Sequence, residues 1–151
     1  MKGANMALRG KVFFDSNILV YAMSPTDIVK QKAARSVLES AIENRRGVIS
    51  AQVLGETFVT LTRKLTTTIS RESVLANLRA LAILRVVPLT GELVFRAIEL
   101  QGEHQLSYWD ALIVAAAESA GCETLWSEDL SDGRSYGSVT VRNPFRQDMA
   151  H

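Results

Sequence analysis

The chain has 151 residues, 47% of them hydrophobic and 22% charged, enough to build one globular domain with a buried core. That balance excludes a disordered, collagen-like or disulfide-stapled protein. Seventeen basic against sixteen acidic residues leave a net charge of +1, so no global field draws the molecule to nucleic acid, and such a partner needs a local site.

The single cysteine, Cys122, allows no internal disulfide and reads as a small buried hydrophobe, in keeping with a reducing compartment. No apolar run approaches the roughly 18 residues of a membrane span. Lys2 is followed by no apolar signal region, so a cytoplasmic protein without membrane contact is expected.

In chain order, Lys11–Phe14 predicts a short strand that stops at the turn-prone Asp15-Ser16-Asn17. Pro25-Thr26-Asp27 starts a helix over Asp27–Asn44, striped by Ala34, Val37, Leu38 and Ala41, with Gly47 as its stop. Val48-Ile49 is a minimal buried strand. Ser50 caps a helix over Ala51–Leu65, Ser70 one reaching Leu84, and Thr90 one reaching about Gln101. Arg85–Pro88 lies between the last two as a strand. Ser107 starts a fifth helix that ends before Gly121. Strands at Thr124-Leu125-Trp126 and Val139-Thr140-Val141 close the chain.

Short apolar strands alternating with helices predict an α/β fold, a three-layer sandwich whose central parallel sheet has four to five short strands flanked by helices. In such sheets ligands bind outside the carboxyl ends of the strands. Asp15 directly follows the first strand, and Asp129 comes three residues after Trp126. The helices run back antiparallel to the strands, so their first turns lie at the same edge. Asp110 is in the first turn of the Ser107 helix and Glu56 in the second turn of the Ser50 helix.

Each acid alone has an ordinary reading. Asp15 is a turn or cap residue, Glu56 a solvated helix acid, Asp110 the partner of Ser107 in a capping box, and Asp129 part of the acidic loop Ser127-Glu128-Asp129-Leu130-Ser131-Asp132. Together they repel, by about 4 kcal/mol per pair at 4 Å and an effective dielectric near 20. Such a cluster calls for a cation, and oxygen donors suit Mg²⁺ or Mn²⁺. His104 and His151 stand alone as solvated residues, so zinc finds no cluster. Metal held by carboxylates, with waters in its open positions, suits phosphoryl chemistry.

Five segments then carry a family resemblance: Val12-Phe13-Phe14-Asp15-Ser16-Asn17-Ile18-Leu19-Val20-Tyr21, Ser50-Ala51-Gln52-Val53-Leu54-Gly55-Glu56, Leu106-Ser107-Tyr108-Trp109-Asp110-Ala111-Leu112-Ile113, Leu125-Trp126-Ser127-Glu128-Asp129-Leu130 and Val141-Arg142-Asn143-Pro144-Phe145. The chain resembles the PIN-domain family, and within it the VapC-type toxins of toxin–antitoxin pairs. The resemblance implies a metal-dependent endoribonuclease over residues 11–145, with an N-terminal extension at 1–10 and a tail at 146–151. It implies that Asp15, Asp110 and Asp129 hold Mg²⁺ or Mn²⁺. Glu56 would bind metal directly or through water, or help activate the attacking water. Ser127 would orient a carboxylate or water, and Ser16 and Asn17 fit the family's turn after the first Asp. Asp132 would share the role of Asp129 or cap a turn. Implied partners are RNA as substrate, a small cognate antitoxin that tethers the complex to DNA, and a second copy in a homodimer.

Lys30, Lys32 and Arg35 on the first long helix, and Arg63 and Lys64 at the end of the second, form a solvated face or contact RNA phosphates. Trp109 and Tyr108 pack or join a dimer interface, with base stacking the sharper alternative. An aspartate-nucleophile phosphatase would need a second acid where Asn17 stands. A receiver domain would need an Asp after Val86-Val87-Pro88, where Leu89-Thr90 follows. The remaining alternative is a PIN-like RNA- or partner-binding protein without turnover.

Overall fold

The computed structural model describes residues 10–63 and 69–146. Lys64 and Leu65, His151, and the expected extension and tail apart from Gly10 and Arg146 lie outside the described residues.

The elements run β1 (Lys11–Phe14), α1 (Ser16–Met23), α2 (Ile28–Glu43), β2 (Gly47–Ser50), α3 (Ala51–Arg63), α4 (Arg71–Leu81), β3 (Arg85–Val87), α5 (Gly91–His104), α6 (Tyr108–Ser119), β4 (Cys122–Trp126), β5 (Ser135–Tyr136) and β6 (Val139–Arg142). The sheet order is β3-β2-β1-β4-β6-β5, and every pairing is parallel except β5 with β6. The α/β sandwich is as expected, with six strands among the described residues rather than four or five. The extra strand is the two-residue edge strand β5, turned back onto β6 through Gly137 at φ +61°.

Adjacent residues of a strand point to opposite faces. Phe13 and Phe14, and Val48 and Ile49, are all 0–1% exposed, so both faces of the sheet are covered. Residues Ala111–Ala117 of α6 are all buried, which makes this helix apolar all round, and it packs on α5, β2, β4 and β6. A smaller cluster of Leu61, Val74 and Leu78 joins α3 to α4.

The expected caps form. Ser50, Ser70, Thr90 and Ser107 each accept a hydrogen bond from the N–H three residues on, at 3.1–3.2 Å. Gly121, at φ +74°, follows the end of α6 in the left-handed conformation.

Three local expectations are corrected. Ser16–Met23 is helical, with Asp15 as its N-cap accepting from Ser16 N at 2.7 Å. Gly47 does not stop α2 but opens β2, where a Cβ would come within 2.6 Å of Leu84 and 3.5 Å of Phe14. The turn before it is made by Arg45 in the left-handed region, at φ 56°. Two helix ends also move: α4 stops at Leu81, and α5 runs through the open, solvent-side Gly102 to His104, ended by Gln105 at φ 57°.

β1 lies at the switch point of the sheet. The chain leaves it toward β2 and β3 on one side and returns to β4 on the other. Outside the carboxyl ends of β1 and β4 the topology therefore opens a crevice.

Candidate active site

The last rung between β1 and β4 pairs Phe14 with Trp126, and Asp15 N extends the ladder to Trp126 O at 3.0 Å. This puts Asp15 at the floor of the crevice and Ser127 beside it. Ser127 is fully buried, and its Oγ donates to Asp15 Oδ2 at 2.8 Å. The same oxygen accepts from Asp129 N at 3.2 Å and Leu130 N at 3.3 Å, so one hydroxyl shapes the β4 loop and holds the β1 acid. Asn17 Nδ2 lies 3.4 Å from Asp15 Oδ2 and 3.1 Å from Asp129 Oδ2, a neutral donor between two carboxylates. Its Oδ1 accepts from Glu128 N at 3.1 Å, which settles the orientation of the amide.

Asp15, Glu56, Asp110 and Asp129 line one cleft of about 520 Å³, with Ser16, Thr60 and Val59 among its walls. The four acids arrive from the end of β1, the second turn of α3, the first turn of α6 and the loop after β4. Among the described residues no Lys or Arg lines this cleft. A second cleft, of about 370 Å³, shares Ser16, Thr60 and Asp129 with the first and continues past Asn17 and Tyr21.

Asp15 is 4% exposed. Burial pushes its carboxyl up to about 6; the hydrogen bonds from Ser127 and Ser16 pull the other way, while the charges of Glu56 and Asp129 add to the rise. The protein thus holds a carboxylate that its own donors compensate only in part.

The donor set consists of hard oxygens, as Mg²⁺ or Mn²⁺ requires. Among the described residues no three acidic, His or Cys side chains converge closely enough to hold an ion as they stand. The carboxylates are spread around the cleft, the arrangement that mutual repulsion favours, and the cleft has room for an ion with part of its water shell. In those terms the residues fit a hydrated divalent cation.

Asp132 is not among the residues lining either cleft. Its Oδ1 accepts from Asn143 N at 2.8 Å and its Oδ2 faces Arg146 Nε at 3.8 Å, so it secures the turn after β6. Lys30 is drawn inward: its ammonium pairs with Glu128, lies 3.3 Å from Tyr21 Oη and sits over the rings of Tyr21 and Phe145. Arg35 Nε donates to Ala22 O at 2.8 Å. Lys32 and Arg63 are exposed. Trp109 is 62% exposed next to Asp110, with its ring edge against Tyr108. His104 packs on the Tyr136 ring rather than standing free in solvent. Cys122 is buried, which pushes its thiol up to about 12 and makes it unreactive.

Two features at the site escaped the sequence reading. The box of Lys30, Tyr21, Glu128 and Phe145 depends on residues distant in the chain. Gln52, which bonds both Glu56 and the Trp109 carbonyl, had one local signal: it precedes Glu56 by one helical turn.

A cleft of carboxylates at the carboxyl edge of a mostly parallel sheet defines an α/β protein fitted for hard cations. The PIN-domain family model matches residues 12–131, and the chain belongs to the PIN-domain family. Comparison with curated proteins gives no match. Among solved structures, the chain is similar to the sarcin–ricin-loop-cleaving toxin VapC20 of Mycobacterium tuberculosis, with TM-score 0.64 and 22% identity over 79% of this chain and 90% of that one. A toxin–antitoxin complex from Klebsiella pneumoniae matches with TM-score 0.67 and 22% identity, over 89% and 98% of the two chains. VapBC2 from Rickettsia felis, bound to a DNA fragment from its promoter, matches with TM-score 0.65 and 20% identity, over 87% and 97%. At these identities the likeness is one of fold. No helix among the described residues is long and apolar enough to cross a membrane.

Proposed function

We propose that this chain is a Mg²⁺- or Mn²⁺-dependent endoribonuclease and the toxin of a VapBC-type toxin–antitoxin pair. The observation that carries the reading is the gathering of Asp15, Glu56, Asp110 and Asp129 in one cleft of a PIN-domain fold. A bound divalent ion would supply an activated water and offset charge on the phosphate oxygens. Asp15, Asp110 and Asp129 would hold it, with Glu56 beside it or reaching it through water. Ser127 keeps Asp15 in place from below, and Asn17 keeps Asp15 and Asp129 side by side. Glu56, half-buried and on the α3 wall, would alternatively help activate the attacking water by accepting its proton.

The partners follow from the same reading. The toxin–antitoxin and promoter-bound relatives support an antitoxin as partner; a small one that blocks the cleft would regulate it. The exposed Phe95 and Ile98, three residues apart on α5, support a homodimer.

The test is cleavage of a mixed panel of structured RNAs by purified protein with Mg²⁺, Mn²⁺ or EDTA, and with Asp110→Asn alongside. Cleavage should need metal and fall by at least about 100-fold in the variant. Equal cleavage by both proteins would place the activity elsewhere. No cleavage by a folded, Mn²⁺-binding protein would favour the PIN-like binder without turnover.

Asp132→Ala separates the turn from the site. It should lower stability by about 1 kcal/mol in urea titration, the worth of an ordinary exposed hydrogen bond. Metal-dependent cleavage should stay within about twofold of the parent, and a loss matching that of Asp110→Asn would put Asp132 back among the site residues.

A further inference from the structure

Gln52 is the second residue of α3, one turn before Glu56, so the two side chains share a helix face. Its Nε2 donates to Glu56 Oε2 at 3.0 Å and to the main-chain carbonyl of Trp109 at 3.2 Å. Both amide hydrogens are thereby used. Both acceptors are oxygens, so the amide has one orientation; exchanging its N and O would set oxygen against oxygen twice. That orientation leaves Gln52 Oε1 buried with no partner. A buried acceptor left unpaired is costly, so the amide is retained for what its donors do. Those donors tie together two helices that each bring an acid to the cleft. α3 carries Glu56, and on α6 the bonded carbonyl belongs to the residue just before Asp110. Among the described residues no Lys or Arg lines the cleft to hold these acids against their repulsion.

We infer that Gln52 is a positioning residue: it sets the spacing of Glu56 and Asp110 so that the two helices present their carboxylates to one hydrated divalent cation. The inference rests on reading the cleft as a metal-dependent nuclease site. Gln52 acts through Glu56 and the start of α6, and it is not itself among the residues lining the cleft. A glutamine kept only for packing would be replaced without loss by methionine, which matches its length and lacks its donors.

The experiment compares the full chain with Gln52→Met and Gln52→Asn, the second retaining an amide too short to reach both acceptors. Three quantities are read: Mn²⁺ affinity without RNA, kcat and KM on a cleaved RNA, and the ¹³C resonance of the Glu56 carboxyl carbon. Both variants should bind Mn²⁺ about 10–100-fold more weakly, the usual effect of removing a partner that orients a metal ligand. The loss should appear in kcat, with KM for RNA nearly unchanged, and the Glu56 resonance should move. Unchanged Mn²⁺ affinity and kcat in Gln52→Met overturns the inference; so does full retention in Gln52→Asn. If the parent itself neither binds Mn²⁺ nor cuts RNA, the nuclease reading fails by itself. The positioning of Glu56 is then decided by its resonance, and an unmoved signal in both variants rejects it.

Discussion

Asp15→Asn should abolish RNA cleavage and at the same time raise the melting temperature of the metal-free protein at pH 7.5. Asp15 sits 4% exposed just past the carboxyl end of β1, and its carboxyl is pushed from 3.8 to about 6, chiefly by burial. It binds its proton more tightly folded than unfolded. Its contribution to folding is therefore complete below about pH 4 and is lost as the pH rises through 6. A shift of about two units corresponds to roughly 3 kcal/mol of stability missing at neutral pH. Asparagine keeps the shape, retains an acceptor for Ser16 N and carries no charge to desolvate. Its amide meets Asn17 Nδ2 and Ser127 Oγ less well than a carboxylate does, so the net gain should be about 1–3 kcal/mol, or roughly 3–8 °C in a domain of this size. Thermal scans in EDTA at pH 4 and pH 7.5 check it. The gain should be present at pH 7.5 and nearly absent at pH 4, where both chains are uncharged at this position. A lower melting temperature for the variant at pH 7.5 would show that the folded protein already compensates the Asp15 charge. With the gain observed at pH 7.5, the site bears stability and activity in opposite directions: the unmet charge that weakens the metal-free fold is what a cation would bind.

Ser127→Ala should have the second largest effect, and of opposite sign. The Ser127 hydroxyl is fully buried, gives Asp15 its side-chain donor at 2.8 Å and accepts the N–H groups of Asp129 and Leu130. Alanine leaves a buried carboxylate short of a donor and two loop N–H groups short of an acceptor. Hydrogen bonds to charged groups contribute about 1.5–3 kcal/mol, so a loss of about 2–4 kcal/mol is expected at pH 7.5. Because the Ser127 donor holds the Asp15 carboxyl down, its removal should send that carboxyl further up. The acid limb of the cleavage profile should then move to higher pH. Urea titrations at pH 4 and 7.5 provide the control, with a smaller loss expected at pH 4, where Asp15 is protonated. An equal loss at both would mean that Ser127 serves the loop alone.

Local features of the fold were legible because local hydrogen bonds cause them. Ser50, Ser70, Thr90 and Ser107 cap helices through an N–H three residues away, whatever the rest of the chain does. The strands at Val12, Val48 and Leu125 were legible as short apolar runs bounded by turn formers. α1 was not. Its apolar run Ile18-Leu19-Val20-Tyr21 follows a turn-prone triplet, and only burial of Ile18, Leu19 and Ala22 against the core makes helix the better solution. Gly47 looked like a helix stop, yet its small size answers the approach of Leu84 and Phe14. β5 offered one cue, the Gly137-Ser138 turn between Tyr136 and Val139, and two residues are too few to show a period.

At the site, the acids were legible in the same way. Asp15 and Asp129 follow strands, and Glu56 and Asp110 open helices, so α/β topology alone places all four at one edge. Their partners were not legible. Lys30 carries a charge suited to RNA, but it is taken up by Glu128, 98 residues away. Asp132 belongs to the same acidic run as Asp129, but its oxygens are claimed by Asn143 and Arg146 beyond β6.

The sequence by itself determined the order of helices and strands, the caps that delimit them and the four acids that end strands or begin helices. These depend on neighbours a few residues apart. The tertiary structure decided that β1 takes β4 as its second partner, and hence that Asp15 is buried against Ser127, 112 residues away. Which carboxylate lacks a counter-charge, and which polar group holds it, comes from that pairing. Desolvation and long-range hydrogen bonding exist only once distant segments have packed.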